Sequence, residues 1–239
     1  MYMAIVLALG LMIIQQYRPF TANFIIRKAF HLLAFVLFTP GIIHAKHDKP
    51  KLMVFAFNCV SVALIAIEVL RYSGKYFPQE FSAWFKKFSD GRERLPNTMI
   101  LTHIYLLMGC ALPFTSAFIL SNGSVFTPRW VLWTLSGVVF LGIGDSSAAL
   151  MGKWYGRTRW RENSNKTQEG SSYCVISISV VYWFLCNIVD LRSTYLFLCY
   201  VFAAIPTAVL EGCTLQYDNL ICSMFFFSCV IFFNQALDM

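Results

Sequence analysis

Residues 130–170 read WVLWTLSGVVFLGIGDSSAALM (130–151) and then GKWYGRTRWRENSNKTQEG (152–170). The first part carries one charged residue, Asp145, and is long enough as a helix to cross the roughly 30 Å hydrocarbon core of a bilayer. The second part gathers Lys153, Arg157, Arg159, Arg161 and Lys166 around Gly152, Gly156 and Gly170. A carboxylate beside glycines, followed by Lys and Arg, is chemistry for holding a polyphosphate and its magnesium ion. A membrane span by itself needs none of it.

The rest of the chain repeats the first half of that pattern. Only 13% of the 239 residues are charged and the mean hydropathy is +0.61, whereas soluble domains carry about 25% charge. Apolar runs predict helices over 1–17, 29–45, 52–70, 98–120, 130–151, 171–189, 194–210 and 219–236. The expected fold class is all-α: a polytopic transmembrane helical bundle of about eight spans, read as one domain. Lipid leaves every backbone group to be satisfied within its own segment, which selects helices. Pro113 and Pro206 are expected to kink or end their helices, because each removes a backbone donor. The first segment could also be read as a signal peptide, but it lacks a basic start and a small-residue cleavage site, so a span is favoured. An abrupt helical start at Met1 fits the C-terminal part of a longer protein. The eight cysteines have no metal-ligand spacing and read as buried free thiols, not as a zinc site or a disulfide framework.

The charges orient this bundle. Arg18 to Lys28, Arg71 to Arg94 and Lys153 to Lys166 place 14 of the 19 basic residues on one side. By the positive-inside rule that side is cytoplasmic. Such a face is also what topology and anionic lipid alone would select, so the net charge of +7 does not imply a nucleotide. Basic residues that flank spans do not form a nucleic-acid-binding domain. Asn122-Gly123-Ser124 is a glycosylation sequon on the far side, and Asn165-Lys166-Thr167 is one on the cytoplasmic side.

Five polar groups sit at predicted cytoplasmic boundaries. Arg27, Lys28 and His31 share one helix face by their i, i+3 and i+4 spacing, or serve as snorkelling anchors. Glu68 and Arg71 either neutralise each other or offer Arg71 to a phosphate. Thr102-His103 follows the polar stretch 90–97, and its role is open. Asp145 costs about 2.5–3.5 kcal/mol at a helix centre, less near the surface, so it is expected to be functional and paired with a cation. Gly144, Ala148 and Gly152 stand at small-residue packing spacing, although glycines also let backbone approach phosphate. Glu211, Asp218 and Asn219 form an acidic loop on a basic side. Acids near a phosphate-binding loop point to Mg2+, which takes a few carboxylates and phosphate oxygens. Charge balance with Arg71 or Arg157 is the alternative.

RKAFH (27–31), LTHIYLLMG (101–109), GDSSAALMGKWYG (144–156), NKTQEG (165–170) and EGCTLQYDNL (211–220) occur in this order. The order resembles the polyprenol kinases, most closely their dolichol branch. The Gly-Asp-Ser and Lys-Thr-x-Glu-Gly segments are shared more widely, with phytol kinases and CTP-dependent diacylglycerol kinase. The resemblance implies a multi-pass endoplasmic-reticulum enzyme with a cytoplasmic active site that moves the γ-phosphate of CTP to dolichol. Dolichyl phosphate would then serve N-glycosylation. It further implies a nucleotide segment at about 152–170, with Gly152, Lys153, Gly156, Arg157, Arg159, Lys166, Thr167, Glu169 and Gly170 binding CTP. Asp145, Lys166, Arg27, Lys28 and His31 become the catalytic candidates, and Asp145, Asp218 and Glu211 the Mg2+ candidates. His31, Glu169 and Asp145 remain alternatives for activating the alcohol. The family segment resembles W-P-G-T-K-K-T; this chain has one extra residue there, and Asn165 in place of a lysine. Full-length members are about twice as long. Competing readings are the same chemistry on phytol, farnesol or diacylglycerol, a cytidylyltransferase, an anion transporter, and a non-catalytic remnant.

Overall fold

The structure is a computed structural model that describes residues 6–12, 23–44, 49–74, 76–86, 93, 98–121, 127–162, 164–191, 193–214 and 218–238. The Asn122 sequon, Arg18 and most of the stretch 90–97 lie outside the described residues. Of the predicted first span, only 6–12 is described, and it is helical. The remaining elements are α1 (Asn23–Ile43), α2 (Lys49–Tyr72), α3 (Gln79–Lys86), α4 (Thr102–Leu120), α5 (Pro128–Thr134), α6 (Ser136–Val139), a π-helical stretch Phe140–Asp145, α7 (Ser146–Tyr155), α8 (Gln168–Ile188), α9 (Thr194–Cys213) and α10 (Asp218–Asp238).

The chain is an all-helical polytopic bundle. Among the described residues six helices are long and apolar enough to cross a membrane, or seven if the bent run 128–155 counts as one span. The expected eight included the first segment. The run 130–151, expected as one helix, bends by 47° between α5 and α6 and then widens into the π-helical stretch. Pro113 and Pro206 do not end their helices, and neither does Pro40. Helices in lipid tolerate proline where neighbours satisfy the freed groups. The extra helix α3 falls in a predicted loop.

α6 and the π-helical stretch form the axis of the bundle. Leu135, Val138, Val139, Phe140 and Leu141 are almost fully buried, and α1, α4, α8 and α10 pack around them. α2 lies outside this ring, with Leu52, Phe55, Val60 and Val62 exposed along it. Cys59 is exposed on the same helix and departs from the expected buried thiols; no disulfide joins the described cysteines.

Small residues set a close approach of α8 to α7 and the π-helical stretch. Gly144 faces Cys174 and Ile178, and Ser147 Oγ meets Ser177 Oγ at 2.6 Å. A Cβ on Gly170 would stand 2.6 Å from the Ala148 carbonyl oxygen. Backbone cannot give way there as a side-chain tip can. Gly170→Val should therefore cost about 1–3 kcal/mol, the usual range for overpacking. A lowered melting temperature of the detergent-solubilised protein would show it, and an unchanged one would remove the packing role.

Candidate active site

Helix ends build the site. The start of α1, the end of the π-helical stretch, α7, the loop 156–167, the end of α9 and the start of α10 all border one cleft of about 1360 Å³. Each of these comes from the side that carries the denser basic loops. Six basic side chains line it (Arg27, Lys28, Lys153, Arg157, Arg159, Lys166) against four carboxylates (Glu93, Asp145, Glu211, Asp218).

Asp145 ends the π-helical stretch, a distortion that recurs at functional sites because it re-aims side chains. It is 4% exposed and bonds Lys28 Nζ through Oδ2 at 2.5 Å. His31 Nε2 lies 3.7 Å from the same oxygen. So Arg27, Lys28 and His31 all line the cleft, Lys28 and His31 buried in it and Arg27 half-buried beside them.

The loop between α7 and α8 folds back on itself. Thr158 and Gln168, and Trp160 and Lys166, are joined by backbone hydrogen bonds of 2.9 and 3.1 Å, with one bridge between Arg159 and Thr167. At the loop's far end Ser164 N donates to Arg161 O at 3.0 Å. This hairpin docks on α9: the Trp160 indole lies flush on Gly212, where a Cβ would collide with it, and Trp160 Nε1 donates to Ser171 Oγ at 2.9 Å. Lys166 Nζ then donates to Asp218 Oδ2 at 2.6 Å and to the Glu211 carbonyl at 2.8 Å. Desolvation alone would lower the Lys166 pKa, but Asp218 and Glu211 outweigh it and hold it above the ordinary lysine value. The ammonium stays charged.

Several expected residues take other positions or other work. Glu169 is not among the cleft-lining residues; its carboxylate accepts the Thr158 N–H at 3.1 Å. As the first-turn acid of α8 it is spent on holding the hairpin. The missing side chains of Gly152 and Gly156 leave room for Thr167, and that of Gly170 for Ala148, so these glycines serve helix packing where they border the cleft. Thr167 caps α8 by accepting the Gly170 N–H at 3.1 Å. The three carboxylates expected around a metal do not form a closed cage. Among the described residues no three His, Cys, Asp or Glu side chains converge in that way; Asp145 is paired with Lys28 and Asp218 with Lys166. Mg2+ needs only one or two carboxylates beside phosphate and water. Glu211 Oε2, buried and without a hydrogen-bond partner among the described residues, is an acceptor open to a cation.

Glu68 and Arg71 pair with each other at 2.6 and 2.7 Å and do not line the cleft. Their pair instead fixes the segment before α4, where Ile100 N donates to Glu68 Oε1 at 2.5 Å and Arg71 Nη2 to the Thr98 carbonyl at 3.1 Å. His103 is outside the lining, whereas Thr102 is in it. Sequence reasoning missed Glu93 and Tyr105. Glu93 receives the N–H groups of Leu101 and Thr102 at 3.1 and 3.3 Å and the Thr102 hydroxyl at 2.6 Å. It thereby caps α4 from eight residues away, a spacing no local capping rule covers.

No family model and no solved structure matches this chain. Human dolichol kinase is 34% identical over 209 residues, which are 84% of this chain and 37% of that protein. Dolichol kinase sec59 of Schizosaccharomyces pombe is 33% identical over 220 residues, 89% of this chain and 39% of its own. Dolichol kinase EVAN of Arabidopsis thaliana is 30% identical over 208 residues, 85% and 34% respectively. The chain thus spans little more than a third of the length of these curated relatives. Over 84–89% of its length, this chain is similar to the dolichol kinases of plant, human and yeast.

Proposed function

We propose that this chain carries the phosphoryl-transfer site of a CTP-dependent dolichol kinase in the endoplasmic-reticulum membrane, facing the cytoplasm. One observation carries the reading: a cleft at the basic end of a membrane bundle in which lysines are already paired with carboxylates at 2.5 and 2.6 Å. Phosphoryl transfer is mostly positioning and neutralisation of charge, and these are the groups it requires.

Lys153, Arg157, Arg159 and Lys166 hold the phosphates from the α7–α8 side, and Arg27 and Lys28 close the site from α1. Asp145, Glu211 and Asp218 would hold Mg2+, which when bound neutralises charge on the transferred phosphate. Phe24, Met99 and Leu101 give the cleft an apolar border, and the isoprenoid lies along grooves between helices with its hydroxyl at this end. The cytoplasmic orientation rests on the 14 basic residues of the cleft-side loops.

The test is the purified chain in detergent micelles with Mg2+, comparing γ-labelled CTP with γ-labelled ATP and offering dolichol, phytol, farnesol and diacylglycerol. Label is expected in dolichyl phosphate, from CTP in preference to ATP. Preferential labelling of another alcohol would move the assignment to that lipid. Release of pyrophosphate would indicate a cytidylyltransferase, and no transfer to any acceptor would reject the kinase reading.

A further inference from the structure

Among the described residues, two buried side-chain polar atoms that border the cleft have no hydrogen-bond partner, Glu211 Oε2 and His31 Nε2. They ask for different ligands. A carboxylate oxygen draws a cation, and a neutral imidazole nitrogen draws whatever its tautomer allows. His31 Nδ1 lies 2.8 Å from the Arg27 carbonyl oxygen, which can only accept. Nδ1 therefore carries the ring proton, and Nε2 presents a lone pair. The oxygen at 3.7 Å, Asp145 Oδ2, is an acceptor too and is already bonded to Lys28. Lys28 Nζ, the ammonium at this spot, bonds Asp145 and makes no hydrogen bond to Nε2. The missing partner is thus a donor, which an anionic phosphate oxygen is not and a lipid or ribose hydroxyl is.

We infer that His31 Nε2 accepts a hydrogen bond from the hydroxyl of the lipid acceptor and orients its oxygen beside Asp145. The inference rests on the kinase reading for the identity of that alcohol. Two sources of hydroxyl enter such a site, the lipid and the nucleotide ribose. His31 lies one helical turn inward from Arg27, towards the apolar axis where its carbonyl packs against Gly142. That depth is the lipid's.

Diethyl pyrocarbonate acylates an unprotonated imidazole nitrogen, so its attack on His31, mapped by mass spectrometry, reads the Nε2 lone pair without turnover. The full chain is treated in micelles alone, with dolichol, with dolichyl methyl ether, which has no O–H to donate, and with Mg2+ and CTP. Modification of His31 is expected in the lipid-free protein, with protection by dolichol but not by its methyl ether. In the transfer assay, His31→Asn should raise the KM for dolichol about tenfold, while His31→Gln, whose amide sits where Nε2 was, stays within about threefold. The KM for CTP should not move in either variant. An unmodified His31, equal protection by the ether, protection by CTP alone, or a matching loss in both variants would each overturn the inference. Dolichol-specific protection without phosphate transfer would uphold this contact and reject the kinase reading alone.

Discussion

Asp145→Asn is expected to lower CTP-dependent labelling of dolichol by about 10³-fold, the scale on which phosphoryl transfer responds to loss of a charge-handling group. The substitution keeps the shape of the side chain and removes its charge. Two consequences follow from its partners. The Mg2+ candidate loses a carboxylate oxygen, and Lys28, 8% exposed, loses the counter-ion that accompanies its burial. Breaking one side of a buried pair costs about 3–5 kcal/mol, so activity must be expressed per folded protein recovered from size exclusion. A Lys28→Gln, Asp145→Asn double variant separates the effects. It should recover stability, since no lone charge stays buried, and recover no transfer. Labelling by the single variant within tenfold of the parent would remove Asp145 from the site.

Lys166→Ala should have the second largest effect, a fall in labelling of about 10²–10³-fold with a raised KM for the nucleotide. Lys166 both faces the cleft and ties the hairpin to α9 and α10 through Asp218 and the Glu211 carbonyl. Its loss should therefore also expose the turn at 161–164 to trypsin, which cuts after Arg161. The tie is robust to pH in a defined direction. Because the folded pKa lies above the ordinary lysine value, the ammonium persists through neutral and mildly alkaline pH, and its side of the tie is lost as pH rises through that raised value. Full labelling by the alanine variant, with the hairpin still resistant, would refute both roles.

The spans were legible because hydropathy is a local property and lipid permits few alternatives. The bend after Thr134 was not, although Ser136-Gly137 just beyond it is the kind of pair at which helices kink. Pro113 and Pro206 were expected to kink or end their helices, and neither helix ends there. A proline's cost depends on whether a neighbour takes up the freed groups, and the neighbours are not in the local sequence. The small residues at 144, 148, 152, 156 and 170 admitted two uses, backbone against backbone or against phosphate. The observed contacts are those of packing, so the work of charge falls to the lysines and arginines around them. Glu169 looked like a site residue by its place in Lys-Thr-x-Glu-Gly, yet a first-turn acid is also what a helix start favours, and here it holds the hairpin.

The sequence by itself determined that this is a helical membrane bundle, that one side carries most of the basic residues, and that its unusual polar groups collect on that side. Tertiary structure alone decided that α6 and the π-helical stretch are the axis, that Asp145 takes Lys28 from 117 residues away, and that Lys166 takes Asp218 from 52 residues away. It also decided that Arg71 turns to Glu68 and stays out of the cleft. The reason is one of range. Periodicity and loop charge are read within a turn or a span, whereas the partner of a buried charge is chosen by which helix ends meet.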